Sequence, residues 1–156
     1  MIIHLIAVGT RLALWAEQGF KAYQKRFPPE CKLHLISIPL AKRTKNSRAA
    51  QSVEDEEKKI LAAIPKRSRI IALDCRGQMW NTQQLAQSLQ QWQLERQDIS
   101  LLIGGPDGLG PNCLSGAERV WSLSALTLPH GLVRILVAEQ LYRAFSLLQG
   151  HPYHRE

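Results

Sequence analysis

The sequence has no segment that is typical of a membrane protein or of a secreted one. No apolar run among its 156 residues reaches the roughly 18 residues that a bilayer-spanning helix needs. The N-terminal stretch Met1-Ile2-Ile3-His4-Leu5 lacks the basic start and the small-residue cleavage site of a signal peptide, and it is typical of a core strand. We therefore predict a cytoplasmic protein with no membrane partner.

Cysteine is scarce and scattered. Cys31, Cys75 and Cys113 form no CxxC pair and have no zinc-ligand spacing, and their odd number argues against a disulfide framework. A reduced chain with structural thiols fits this usage best. No other combination of ligand side chains has the spacing of a metal site, so we expect no metal.

The common nucleotide-binding and hydrolase motifs are also missing. No lysine follows the glycines between Gly104 and Gly110 in the frame of a P-loop, and these glycines do not have the GxGxxG spacing of a dinucleotide fingerprint. There is no G-x-S-x-G nucleophile elbow. These absences argue against a nucleotide-binding hydrolase and against a serine nucleophile.

Apolar runs alternate with amphipathic segments along the whole chain, which predicts an α/β fold with a mostly parallel sheet flanked by helices. The length and the 45% apolar composition suit one domain, residues 1–156. The predicted strands are Ile2–Val8, Leu33–Ile38, Ile70–Leu73, Ile99–Ile103 and Val120–Leu126. The predicted helices are Leu12–Phe27, Gln51–Ile64, one capped by Asn81 or Thr82, Pro111–Ala117 and Leu132–Leu148. The last helix is apolar almost all round, which predicts that a subunit interface covers part of it.

The charge is strongly one-sided. The net charge is +7, and Lys42, Arg43, Lys45 and Arg48 lie in one short stretch without an acidic residue. Such a cluster predicts contact with a polyanion, most simply the backbone of a nucleic acid. A merely solvated basic loop is the alternative.

The most informative segment is the strand Ile99–Ile103 followed by the glycine loop Gly104–Gly110. Four glycines and a proline directly after a buried strand allow bare backbone to come close to a ligand. A tight turn that needs glycine only for its geometry is the alternative. We predict a small-molecule site at this strand end.

A second segment, Trp121–His130, alternates small hydroxyl residues with apolar ones and should reach the same edge of the sheet. By itself it would be a half-buried strand. His130 titrates near neutrality and could handle a proton, or it could cap the last helix. Within that helix Glu139 and Arg143 have the spacing of an ion pair, which leaves Arg134 as a charge with a function.

Three motifs together resemble one family. They are Leu101–Gly108, Trp121–His130 and the ending His151–Glu156, and they are accompanied by Ala7–Thr10 and the strand end Leu73-Asp74. On these residues the chain resembles the ribosomal RNA large subunit methyltransferase H family, within the SPOUT superfamily of S-adenosylmethionine-dependent RNA methyltransferases. The resemblance covers the whole length of the chain.

The resemblance implies a SPOUT-type fold with a C-terminal trefoil knot, a homodimer, and methylation of N3 of a pseudouridine in 23S rRNA. The substrate particle predicted is the assembled 70S ribosome, with free rRNA as the alternative. It implies S-adenosylmethionine as methyl donor and no metal. The residues implied to hold the donor are Leu73, Gly104, Leu123, Ser124, Ala125, Leu126, Thr127 and Leu128.

Loss of the N3 proton requires a base or a nearby cation. His130, together with His154 or Arg155 of the C-terminal tail, is predicted to supply it, the tail groups from either subunit. Arg134 and Tyr153 are predicted to contact RNA beside the basic stretch, since aromatic rings and cations suit an unpaired nucleotide. A non-catalytic RNA-binding protein and a SPOUT methyltransferase acting on tRNA are the alternatives.

Overall fold

The computed structural model describes residues 1–155 and contains one five-stranded sheet. Its strands are β1 (Ile2–Val8), β2 (Lys32–Ile38), β3 (Arg69–Met79), β4 (Ile99–Ile103) and β5 (Arg119–Ser122). They lie in the order β2-β1-β4-β3-β5, and every neighbouring pair of these strands is parallel. The predicted α/β class with a mostly parallel sheet is confirmed, and the trefoil knot stays a prediction.

Helices cover both faces of this sheet, as a parallel sheet requires. They are α1 (Leu14–Gln24), α2 (Ala49–Ala63), α3 (Thr82–Leu94), α4 (Pro111–Gly116) and α5 (His130–Leu148), and a short 3-10 helix (Pro152–Arg155) follows. On one face α5 packs against both α1 and α3, and on the other α2 packs against α4.

The central strand β4 is buried along its whole length. Leu101 belongs to the larger apolar cluster beneath α1, α3 and α5, whereas Leu102 belongs to the smaller cluster beneath α2 and α4. Successive side chains therefore anchor opposite layers. This explains why the strand is a continuous apolar run, and its predicted bounds are confirmed.

Two predicted strand ends were wrong. β5 stops at Ser122 instead of Leu126, because local hydrogen bonds replace the ladder: the Ser122 hydroxyl donates to the Ser124 carbonyl at 3.1 Å, and the Leu126 N–H donates to the Ser124 hydroxyl at 3.0 Å. In the other direction, β3 continues past Leu73 to Met79, with a shift in its pairing to β5 between Leu73 and Gln78. Both differences occur at the same edge of the sheet.

Helix α3 begins as expected. The Asn81 side chain accepts a hydrogen bond from the Gln84 N–H, and the Gln84 side chain accepts one from the Asn81 N–H, which completes a capping box. Helix α5 begins at His130, two residues before the predicted start, and buries Val137 and Leu141. Its first turns leave Leu132 and Leu136 exposed in the single chain, so cover by a second subunit stays a prediction.

Candidate active site

A cleft of about 280 Å³ opens at the carboxyl edge of the sheet, where β4 and β5 end, beside Leu73–Cys75 of β3. Ligands of open α/β sheets bind at this edge, because loops diverge there and leave space between them. The lining residues are Leu73, Asp74, Cys75, Ile103, Gly104, Gly105, Pro106, Gly108, Trp121, Leu123, Ser124, Leu126, Thr127, Leu128, His130 and Val133. The glycine loop and the segment after β5 thus meet in one place, as the sequence suggested.

The glycines let the loop fold back on itself. A Cβ on Gly104 would lie 2.4 Å from the carbonyl carbon of Gly108, and Gly108 has a φ of +81°. The Gly108 N–H donates to the Gly105 carbonyl at 3.0 Å, which closes the turn. Position 104 therefore requires glycine because the Gly108 backbone lies so close to it. Gly104 also lines the cleft.

The buried carboxylate of Glu56 packs against the glycine loop. Glu56 is 1% exposed, and a Cβ on Gly105 would lie 2.7 Å from its Oε2. Glu56 Oε1 accepts a hydrogen bond from the Ala41 N–H at 3.3 Å and pairs with Arg43 Nη1 at 2.8 Å. Arg43 Nε also donates to Asp107 in the loop at 3.0 Å. One guanidinium thus links the basic stretch to the glycine loop.

The prediction that Arg43 grips RNA is corrected by these contacts. Its guanidinium is committed to two carboxylates, and the hydrogen bond to Glu56 is the main reason that its pKa is raised. Lys42, Lys45 and Arg48 are exposed and keep the predicted ability to meet a polyanion.

The segment between β5 and α5 forms the opposite wall of the cleft. It lies outside the helices and strands, so its backbone is not committed to a ladder. Of the eight residues that the resemblance implied for donor binding, seven line the cleft and Ala125 does not. The structure therefore brings Leu73 and Gly104 together with most of this segment, although they are distant in sequence.

Trp121 was not among the predicted donor-binding residues, yet it lines the same cleft. Its ring stacks on Trp80 with centroids 5.3 Å apart, and its buried Nε1 has no hydrogen-bond partner among the described residues. Buried polar groups are rarely left unpaired without a functional reason. An apolar cleft with an aromatic ring in its wall suits a flat heteroaromatic ligand.

His130 lies at the first position of α5 and lines the cleft. Burial is the main reason that its pKa is lowered, and the nearby charge of Arg134 acts in the same direction. Its imidazole is therefore neutral at neutral pH, the form that can accept a proton. Nδ1 is buried and has no hydrogen-bond partner among the described groups. An interaction with the Gly105 backbone acts against the lowering of the pKa.

The prediction that Arg134 contacts RNA is wrong for this structure. Its side chain is among the largest that are fully buried, and Nη2 donates to the carbonyls of Val8 and Gly9 at 3.1 and 2.7 Å. The cation satisfies the carbonyl groups at the end of β1, where the strand leaves the sheet. It thereby holds α5 against β1 and is not available to a nucleic acid.

The C-terminal tail is ordered against the far part of α5. The Tyr153 hydroxyl donates to Glu139 at 3.2 Å, and its ring packs against Tyr142 with centroids 4.9 Å apart and against the Arg143 guanidinium. Burial is the main cause of a raised pKa for the Tyr153 phenol. The ring that was predicted to stack on RNA is thus engaged within the subunit.

The tail does not reach the cleft of its own subunit. Glu139 follows His130 by nine residues, which is about 13 Å along a helix axis. His154 is half-buried and Arg155 is exposed at that far end. Neither lines the cleft, so the predicted group of His130, His154 and Arg155 is not assembled within one subunit.

Asp74 is a second cleft residue that sequence reasoning did not select. It pairs with Arg76 through two hydrogen bonds of 2.9 Å, from Nε to Oδ1 and from Nη2 to Oδ2, which hold its pKa below the usual range. The sequence does contain a sign of this role, because Asp74 directly follows the predicted strand Ile70–Leu73. In the sequence analysis Asp74 served only as part of the family resemblance.

Two of the three thiols, Cys31 and Cys113, are buried. Burial raises the pKa of Cys31 to about 11 and that of Cys113 to about 12, so both are protonated at neutral pH. Within residues 1–155, no three His, Cys, Asp or Glu side chains gather as a metal site would require. Over the same residues, no helix has both the length and the apolarity to cross a bilayer.

Comparison with known proteins identifies the family. Residues 1–154 match the family model described as "Predicted SPOUT methyltransferase". The chain belongs to the SPOUT methyltransferase family. A curated relative of this methyltransferase, the "Ribosomal RNA large subunit methyltransferase H" of Nitrosococcus oceani, is 54% identical over 155 residues, which cover 99% of each chain.

Solved structures agree on the fold of this SPOUT methyltransferase. A methylase family protein from Haemophilus influenzae Rd KW20 superposes with a TM-score of 0.56 at 15% identity, over 97% of this chain and 68% of the other. A methylase family protein from Neisseria gonorrhoeae gives a TM-score of 0.51 at 15% identity, over 90% and 80% of the two chains. At this identity the likeness concerns the fold alone.

Proposed function

We propose that this SPOUT methyltransferase transfers a methyl group from S-adenosylmethionine to N3 of a pseudouridine in the 23S rRNA of the large ribosomal subunit. The observation that carries the proposal is the cleft at the ends of β4 and β5, beside Leu73–Cys75 of β3. Its walls contain seven of the eight donor-binding residues implied by resemblance. The relative from Nitrosococcus oceani, nearly identical in length, bears the name of an rRNA methyltransferase. The enzyme would work in the cytoplasm.

The residues present fit the methyl donor. Apolar side chains such as Leu73, Leu128 and Val133 can enclose a purine, and the irregular backbone of the segment after β5 can read its edge. Trp121 contributes an aromatic ring to the same wall. The bound donor would supply an electrophilic methyl group on a sulfonium, so the protein needs no metal for this transfer.

Positioning is the main contribution of the protein, because the transfer is an in-line displacement between two held groups. The new bond joins the methyl carbon to N3, the carbon–sulfur bond breaks, and the N3 proton leaves. We propose that neutral His130, which lines the cleft, takes this proton. The pKa of this histidine, lowered by burial and by Arg134, keeps it ready to do so at neutral pH.

A homodimer would complete the site. Four apolar side chains at the starts of α1 and α5 are exposed together: Leu14 by 68%, Trp15 by 56%, Leu132 by 40% and Leu136 by 38%. An exposed apolar patch of this kind is typical of an interface between subunits. We propose that a second copy covers it and that the tail residues His154 and Arg155 of that copy approach the cleft.

Substrate RNA would be held by charge. The net charge of +7 and the exposed Lys42, Lys45 and Arg48 suit a phosphate backbone, and Arg43 connects this stretch to the glycine loop. The assembled 70S ribosome is the proposed substrate particle.

Nucleoside mass spectrometry tests the function directly. Ribosomes from a strain that lacks this gene are incubated with the purified protein and labelled donor, and 23S rRNA and tRNA are digested separately. We expect one methylated pseudouridine to appear in 23S rRNA only. Methylation of tRNA instead, or binding of RNA without any methylation, would overturn the proposal in favour of a tRNA methyltransferase or a non-catalytic RNA-binding protein.

A further inference from the structure

The wall of the cleft is almost without charge. Of its lining residues in the described part of the chain, Asp74 is the one that is fully ionised at neutral pH, since His130 is neutral there. The other lining side chains are apolar, hydroxyl-bearing or absent, apart from the thiol of Cys75. The formal charge that these described residues offer a ligand is therefore negative.

This matters because the donor and the product of the proposed reaction differ in charge. The donor carries a sulfonium, and the product left after methyl transfer is a neutral thioether. Apolar side chains contact the donor and the product equally well, so they cannot give the donor a higher affinity than the product. Discrimination between them requires a group that responds to charge.

On the basis of the proposed function, we propose that Asp74 is the specificity-determining residue that favours the sulfonium donor over its thioether product and so promotes product release. The Asp74 side chain is 10% exposed, which limits the screening of its charge by water. Arg76 is 75% exposed and holds the carboxylate from the solvent side, so it orients Asp74 while it weakens the attraction for a cation.

Two substitutions separate this role from a structural one. Asp74→Asn keeps the shape and removes the charge, and we expect it to weaken binding of S-adenosylmethionine by about tenfold while affinity for S-adenosylhomocysteine changes by no more than about twofold. Arg76→Gln removes the competing cation, and we expect it to bind S-adenosylmethionine more tightly and S-adenosylhomocysteine unchanged. If the ion pair only stabilised β3 where its pairing to β5 shifts, both variants would weaken both ligands.

Calorimetry on the full-length wild type and the two variants gives six affinities, one for each protein with each ligand. A loss of the preference in Asp74→Asn, with a gain in Arg76→Gln, supports the inference. Equal weakening of both ligands, or no change in either variant, overturns it. Failure of the wild type to bind either compound would overturn the proposed function itself, which is a distinct result.

The unmodified protein provides a measurement that does not depend on the variants folding. Added salt screens a charge–charge attraction and leaves apolar contacts in place. We expect the affinity for S-adenosylmethionine to fall between low and high sodium chloride, while that for S-adenosylhomocysteine stays constant. A parallel response of the two ligands would contradict the role of Asp74.

Discussion

Arg134 Nη2 donates a hydrogen bond of 2.7 Å to the carbonyl oxygen of Gly9, so the last helix of the chain is tied to the end of its first strand. The same nitrogen donates to Val8, and the guanidinium lies close enough to His130 to lower the pKa of that imidazole. One buried cation therefore supports the fold and helps to set the protonation of the proposed base.

Replacement of Arg134 tests both effects. Arg134→Met would leave the carbonyls of Val8 and Gly9 without this donor, and we expect the free energy of unfolding to fall by about 2–4 kcal/mol. The pKa of His130 should rise, because a neighbouring positive charge is removed. Chemical denaturation and NMR titration measure the two quantities. Arg11 is exposed, so Arg11→Met serves as the control. Equal stability of the two variants would contradict the claim that Arg134 stabilises the fold by holding α5 to the end of β1.

His130 should matter for turnover more than for donor binding. We expect His130→Ala to lower kcat by about 10²-fold or more, in line with the loss of a general base, with the donor Kd changed by no more than about twofold. Single-turnover kinetics and calorimetry provide the two values. Wild-type turnover in this variant would remove His130 from the mechanism.

The pH dependence follows from the lowered pKa of His130. The neutral imidazole is the active form, so activity should be complete above the ordinary value of 6.5 and fall only as the pH drops through the lower folded pKa. Stability should follow the same sign: between the folded pKa and 6.5 the unfolded chain binds more protons, so acidification through this window destabilises the fold. A kcat profile that already declines above pH 6.5 would be the contrary result.

The two glycines Gly104 and Gly116 form a matched pair for testing the glycine loop. A Cβ on Gly104 would collide with the Gly108 backbone, whereas one on Gly116 would meet nothing within 4 Å. We expect Gly104→Ala to displace the loop and weaken donor binding by about tenfold or more. Gly116 lies in α4, and Gly116→Ala should leave donor binding unchanged. Similar donor affinities in the two variants would show that the loop does not form the site.

Salt dependence tests the basic stretch. Lys42 and Lys45 are exposed near the glycine loop, while Lys32 and Lys66 are exposed near the opposite, amino edge of the sheet. Changing the first pair to glutamine should reduce the slope of log affinity against log salt by about 0.7–0.9 for each phosphate that is no longer neutralised. Changing the second pair should have little effect. Equal slopes for both double variants would place the RNA elsewhere.

The sequence predicted those parts of the structure that depend on local chemistry. The apolar run Ile99–Ile103 has the pattern of a buried strand, and the glycines that follow it indicate a close approach of backbone. Asn81 indicates the start of α3 by its side chain. The position of the cleft could be predicted because the carboxyl ends of parallel strands meet at one edge of the sheet. The individual donor-binding residues were predicted from the family resemblance.

The rest depended on hydrogen bonds and ion pairs that the sequence pattern does not show, some of them local and some between distant residues. The alternation in Trp121–His130 is the pattern of a strand, but the serine hydroxyls bond to nearby backbone and end β5 early. Arg43 and Arg134 resemble RNA-binding cations until the partners that occupy them, Glu56 and the carbonyl of Gly9, are seen. Nothing in a one-dimensional pattern distinguishes a free cation from a buried one.

A crystal structure of the protein with S-adenosylmethionine tests the central claim most directly. We predict the donor between Gly104 and the segment Leu123–Leu128, with its purine among the apolar side chains and its sulfonium on the side of Asp74. Density for the donor at another place, or a cleft that stays closed by its own side chains at saturating donor, would contradict the assignment of this cleft as the methyl-donor site.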